Sequence, residues 1–215
     1  MTRPAGTDTS ARFVVLEGID GAGKSSQMAA LTQWLADHGR RVVPCRDPGS
    51  TAAGDAIRAI LLDRRDLDLD VNTEMLLYMA ARSQLVAEVI RPALARGEWV
   101  VSDRFLLANV VYQGHAGGLD ADVVRRVGEV ATGGLEPDLV LLLDIDPVAA
   151  GRRLSRPLDK LETRGEEFRR RLRAGYLAEA SRRPDRIAVV DADRAADDVQ
   201  AALRAALVER FSELR

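Results

Sequence analysis

The sequence is short of several things, and each shortage excludes something. It has one cysteine, Cys45, in 215 residues. A disulfide framework and a zinc–thiolate cluster are therefore both ruled out. It has no excess of charge of either sign, with 31 basic residues, 33 acidic ones and a net charge of −2. A general nucleic-acid coat is not expected from such a balance. No apolar run approaches the ~18 residues that a membrane span needs. Met1 to Arg12 is polar and has no apolar core, so it reads as a loose tail over residues 1–11 and not as a signal peptide. There is no internal repeat and no linker rich in Gly, Pro or Ser. What remains is a soluble, cytoplasmic protein with a single domain over 12–215. A chain of this size buries about 70% of its surface on folding, enough for a full core without staples. Lysine is also scarce: Lys24 and Lys160 stand against 29 arginines.

What is present is a regular alternation. Short apolar runs at Phe13–Leu16, Arg41–Cys45, Trp99–Val101, Leu139–Leu143 and Ile187–Val190 read as parallel strands covered on both faces. Longer helical patterns lie between them. Ser25–His38 closes at Gly39, and Thr51–Leu62 puts Ile57, Ile60 and Leu61 on one face. Asn72–Arg96 is long, with Asn72 as a candidate N-cap and Pro92 as an expected kink. Asp120–Thr132, Pro147–Arg156, Glu162–Arg183 and Ala195–Arg215 follow. This order predicts an α/β fold with a five-stranded parallel sheet and helices on both faces. The stretch Arg152–Arg186 carries a local excess of basic residues, read mostly as a solvated helix face.

The first strand runs into Gly18-Ile19-Asp20-Gly21-Ala22-Gly23-Lys24-Ser25, the pattern G-x-x-x-x-G-K-[ST] with a strand before it and a helix after it. Glycines let the backbone turn tightly and aim its N–H groups at phosphate oxygens, and the helix start adds its positive dipole end. Lys24 reaches the β- and γ-phosphates, and the Ser25 hydroxyl ligates Mg²⁺. Gly18 to Ser26 are thus the expected ATP contacts, in a P-loop, three-layer α/β/α protein. This loop by itself does not separate a kinase from an ATPase or a GTPase.

Three further places suggest a second substrate. Arg46, beside the Pro48-Gly49 turn, follows the second strand at the end of the sheet where such folds bind ligands. Asp103-Arg104 ends the third strand, where a carboxylate can hold Mg²⁺ and an arginine can clamp a phosphate. Asn109 and Tyr112-Gln113-Gly114 offer amide groups and an aromatic face to a planar base.

Together these residues resemble the thymidylate kinase family of P-loop nucleoside-monophosphate kinases. The likeness runs from Phe13 to about Val190. It includes Phe13–Gln27, Arg46 with Pro48-Gly49, Glu74–Gln84, Ile90–Gly97, Asp103-Arg104, Tyr112–Gly114, Gly133–Leu139, Leu142–Pro147 and Leu158–Glu162. The resemblance implies phosphorylation of dTMP by ATP with Mg²⁺, no nucleic acid or membrane partner, and a homodimer. It implies that Arg46 and Arg104 hold the dTMP phosphate, that Tyr78 stacks on thymine and that Arg82 reaches the base's O4, so that losing Arg82 raises KM for dTMP. By the same resemblance Asn109 would contact the N3 side of the base and Tyr112 would pack under the deoxyribose, with Gln113 a further substrate-binding residue. Asp20 approaches the 3′-hydroxyl or the metal, Ser25 and Asp103 are the metal's side chains, and Arg153 and Arg156 belong to a lid at about 148–160. The chain departs from the family pattern at Asp47, Ser50, Phe105, Leu106–Ala108 and Lys160 and in a shorter lid. Other readings therefore stand beside it. One is a kinase for another pyrimidine nucleotide or for a nucleoside, with Glu17 or Asp103 as base. Another is a nucleotide-binding protein that does not catalyse.

Overall fold

The computed structural model describes residues 11–64, 66–154 and 165–214. Most of the expected tail and residues 155–160 of the expected lid, with Arg156 and Lys160, lie outside these residues.

Five strands, β1 (Phe13–Glu17), β2 (Val42–Arg46), β3 (Trp99–Asp103), β4 (Leu139–Asp144) and β5 (Ile187–Asp191), form one parallel sheet in the order β2-β3-β1-β4-β5. β1, β3 and β4 are buried almost throughout, as continuous apolar runs predict. The two edge strands are not: β2 and β5 each bury only part of their length, a correction to the expectation that all five are covered on both faces. The register aligns Leu16 and Arg46 with Asp103, and Asp144 with Asp191. The carboxyl ends of the strands thus gather charged groups at one edge, where the strand order reverses about β1.

The helices are α1 (Lys24–Asp37), α2 (Ala52–Leu62), α3 (Val71–Leu85), α4 (Arg91–Ala95), α5 (Leu106–Asn109), α6 (Ala121–Thr132), α7 (Pro147–Arg153), α8 (Gly165–Arg182) and α9 (Ala196–Arg210). The cap of α3 is Asp70, whose carboxylate accepts from Asn72 N, and not Asn72 itself. The single long helix expected over 72–96 is α3 and α4 joined by a π-helical turn, Val86–Ile90. The cause is Pro92, which has no N–H to offer the carbonyl four residues back and whose ring would collide with it. A wider turn just before it accommodates both effects. A second π turn, Val110–His115, continues α5. This helical segment, unforeseen from the periodicity, carries Asn109, Tyr112 and Gln113.

The core packs both faces of the sheet, with Phe13 edge-on to Phe105 and Trp99 edge-on to Phe211. Among the described residues no helix is long and apolar enough to cross a membrane.

Candidate active site

The loop after β1 turns on glycines with positive φ, at Gly18 (140°), Gly21 (89°) and Gly23 (90°). At Gly18 the requirement is also spatial, since a Cβ there would stand 2.5 Å from the Leu143 carbonyl oxygen. The Lys24 ammonium, on the first residue of α1, donates to the carbonyl oxygens of Gly18 and Ile19, both at 3.1 Å, and lies 3.6 Å from Asp20. Burial, then the neighbouring Arg104, lower its pKa. Ser25 Oγ donates to Asp103 Oδ2 at 3.2 Å, while Asp103 Oδ1 is buried and has no hydrogen-bond partner.

One cleft is lined by Asp20, Gly21, Gly23, Lys24, Ser25 and Ser26 and, across from them, by Arg46, Asp103, Arg104 and Arg153. Gly18, Ile19 and Ala22 do not line it. Ile19 and Ala22 are buried, and the Ala22 N–H is engaged by the Ile19 carbonyl. Arg153, at the end of α7, donates to the Ala192 carbonyl at 2.9 Å and pairs with Asp193 at 3.4 Å. Arg46 opens onto this same cleft and pairs with Asp55 at 3.0 Å. The turn beside it holds Ser50 at φ 63°, with the Ser50 hydroxyl accepting from Arg46 N. Thr51 caps α2 by accepting from Gly54 N.

A second cleft lies between α2, α3 and the segment after β3. Tyr78, Arg82, Asn109, Tyr112 and Gln113 line it, as the sequence predicts, together with Asp47 and Leu62. Arg82, however, is fully buried and already committed. It donates to Asp47 Oδ2 at 2.5 Å, to Asn109 Oδ1 at 2.5 Å and to the Phe105 carbonyl at 3.2 Å. Burial raises the Asp47 pKa, against the pull of Arg82. Asn109 Nδ2 in turn donates to Gln113 Oε1 at 2.8 Å, which leaves the buried Gln113 Nε2 without a partner. The amide pair is thus oriented by the arginine, and one donor remains unpaired.

Asp20 and Arg104 line both clefts. Arg104 sits at φ 71°. Its guanidinium meets Asp20 Oδ1 at 2.5 Å, Tyr112 Oη at 3.0 Å, Tyr176 Oη at 3.1 Å and the Gly18 carbonyl at 3.2 Å. Burial works to raise the Asp20 pKa, but Arg104 and Lys24 outweigh it and hold the carboxyl below the usual range.

Two residues escaped the sequence reading. Arg58, on α2, lines both clefts and donates to the Pro48 carbonyl at 3.0 Å. No local pattern marked it. Tyr176 continues the apolar stripe Phe168, Leu172, Tyr176 of α8, a visible signal of burial but not of contact with Arg104. Glu17, a candidate base, instead accepts from Phe105 N at 2.9 Å, Ala108 N at 3.2 Å and Tyr176 Oη at 2.9 Å. Burial dominates its titration and pushes its pKa up to about 7. Away from the site, the His115 ring pairs with Glu179 at 2.7 Å from within the π turn. His38 Nδ1 meets the Trp34 carbonyl of the last turn of α1.

Among the described residues no cluster of three or more His, Cys, Asp or Glu is arranged to hold a metal. Ser25 with the unpartnered Asp103 oxygen suits an ion that takes most of its ligands from water and phosphate.

Comparison with known proteins is consistent over nearly the whole chain. The family model described as thymidylate kinase matches residues 16–203. The chain is 47% identical to thymidylate kinase of Desulforudis audaxviator, over 92% of each chain. It is 45% identical to that of Chromohalobacter salexigens, over 95% of this chain and 98% of the relative. Its structure is similar to thymidylate kinase from Ehrlichia chaffeensis, with a TM-score of 0.76 and 26% identity over 92% of this chain and 99% of that one.

Proposed function

The chain belongs to the thymidylate kinase family, and on that premise we propose how its residues carry out transfer of the γ-phosphoryl group of ATP to dTMP, giving dTDP for dTTP biosynthesis. The observation that carries the residue assignment is the junction of the two clefts. Asp20 and Arg104 belong to both, with Lys24 on one side and the Arg82–Asn109–Gln113 chain on the other.

The acceptor is a phosphate oxygen, already anionic near neutral pH, so no general base is required. The work is to bring two repelling phosphate groups together and to neutralise them. Lys24, Arg104 and Arg46 surround the place where they meet. Arg58 adds a fourth cation on the same wall, and Arg153 stands at the donor side. Mg²⁺ fits at Ser25 Oγ and the free Asp103 oxygen, where it would supply charge neutralisation on the ATP phosphates. Tyr78 and Tyr112 flank the base and sugar, and Gln113 Nε2 offers the unpaired donor for the base edge.

We also propose a cytoplasmic homodimer. α3 and α6 pack side by side and leave Leu76, Val123 and Val130 exposed, a face suited to a second copy. Sedimentation of the purified chain as a monomer would refute that part.

The kinase assignment is tested by an ADP-release assay across dTMP, dUMP, CMP and the free nucleosides. Turnover is expected with dTMP above all, and robust turnover with CMP or a nucleoside but none with dTMP overturns it. Lys24→Ala is expected to abolish turnover and to leave the circular dichroism spectrum unchanged. Turnover surviving that change would remove Lys24 from the reaction.

A further inference from the structure

Arg104 is held with unusual completeness for a residue that meets a substrate. Its backbone occupies a left-handed conformation at φ 71°, its N–H donates to the Leu16 carbonyl at 3.0 Å and its carbonyl accepts from Ser102 Oγ at 2.7 Å. The side chain therefore leaves from a fixed point, and its direction depends on what the guanidinium touches. Two tyrosine hydroxyls flank it. Tyr112 Oη accepts from Arg104 and donates to Asp20 Oδ2 at 3.1 Å, and Tyr176 Oη accepts from Arg104 and donates to Glu17 Oε2 at 2.9 Å.

A hydroxyl has a single proton to donate, and a guanidinium has no lone pair with which to accept it. Each tyrosine must give its proton to its carboxylate and turn a lone pair to the arginine. The two pairs differ in one respect. Tyr112 and Asp20 line the cleft and are therefore within reach of substrate. Tyr176 lines neither substrate cleft and is 1% exposed. A phenylalanine would fill the same volume, so packing does not account for the hydroxyl. Its neighbour Gly175 supports the arrangement. A Cβ there would stand 2.8 Å from His115 Cβ, so the missing side chain lets α8 approach closely enough for Tyr176 to reach Glu17. Glu17 also holds Phe105 N and Ala108 N, the segment directly after Arg104.

We propose that Tyr176 is a positioning residue of the phosphoryl transfer: bridging Arg104 and Glu17, its hydroxyl fixes the direction of the arginine that holds the acceptor phosphate. This rests on the reading of Arg104 as that arginine. A misdirected guanidinium still attracts a phosphate but no longer places it for in-line attack, so the effect belongs in kcat more than in KM.

The test is Tyr176→Phe, made alone and in the Glu17→Gln background, with kcat and both KM values measured beside the thermal midpoint. Alone, it is expected to lower kcat about tenfold while KM for dTMP and for ATP moves less than about threefold. Tyr176→Phe also leaves the buried Glu17 carboxyl without the Tyr176 donor, and the Glu17→Gln background removes that ionisable group. There the same substitution is expected to have little effect on the thermal midpoint and still to lower kcat. The proposal is overturned if Tyr176→Phe leaves kcat at the wild-type value. It is equally overturned if kcat recovers together with stability in the Glu17→Gln background, which would make the role purely structural. Failure of the wild-type protein to phosphorylate dTMP is a separate result and strikes the underlying assignment of the reaction.

Discussion

At the scale of single residues, Arg82 changes meaning most. Its resemblance to a base-reading arginine suggests that removing it weakens dTMP binding. The structure makes it half of a buried ion pair, with side chains 1% and 0% exposed at Arg82 and Asp47. Taking away one partner of such a pair leaves an uncompensated charge in the interior, at a cost of about 3–5 kcal/mol. Arg82→Ala is therefore expected to lose fold stability by that order in urea denaturation, with any rise in KM appearing on top. Asp47→Asn in the Arg82→Ala background should recover part of the loss, and an unchanged unfolding midpoint in Arg82→Ala would show that the pair contributes nothing. Lys24, Ser25 and the loop glycines were legible in the sequence because a phosphate loop dictates residue type and spacing together. The Asp47–Arg82 contact was not, because it joins residues 35 apart in the chain and depends on how α3 docks beside β2.

At the scale of elements, the strands and most helices could be read because a parallel sheet requires apolar runs of one kind and amphipathic helices of another. The places where periodicity failed are the two π turns, since an extra residue per turn breaks the 3.6-residue repeat on which the reading depends. The second of these supports the site, and α8 packs on it through Gly175. That contact yields a prediction against ordinary helix propensity. In an exposed helix Gly→Ala stabilises by about 1 kcal/mol. At Gly175 the added methyl meets the backbone-proximal Cβ of His115, which cannot swing away, and overpacking of this kind costs about 1–3 kcal/mol. Gly175→Ala is expected to lower the thermal midpoint, and a raised midpoint would mean that α8 has room to move.

At the scale of the whole molecule, the near-zero net charge conceals a division of labour among the arginines. Many of them pair locally at the surface, as Arg183 does with Glu136 and Arg170 with Glu166, and such exposed pairs contribute little to stability. A few converge on the junction of the clefts, where burial makes every charge depend on its neighbours. Glu17 is one such group. Burial raises its pKa from 4.5 to about 7, although Arg104, the Phe105 N–H, the Tyr176 hydroxyl and Lys24 all favour its ionised form. The sign follows from proton counting. Between about 4.5 and 7 the unfolded chain has released this proton and the folded protein still holds it, so unfolding releases a proton and stability falls as pH rises. The slope is at most about 1.4 kcal/mol per pH unit, and the loss is complete above about 7. Asp20 behaves in the opposite sense, since its pKa is held below the ordinary value: its contribution is lost only as pH falls beneath the usual carboxylate range, outside this window. Glu17→Gln removes the titrating group and keeps an oxygen for Phe105 N and Ala108 N. Urea denaturation of both proteins at about pH 5 and about pH 8 is expected to show the stability difference moving in favour of Glu17→Gln as pH rises. A difference that stays constant across that interval would mean that Glu17 is ionised throughout, and that the cations around it outweigh its burial.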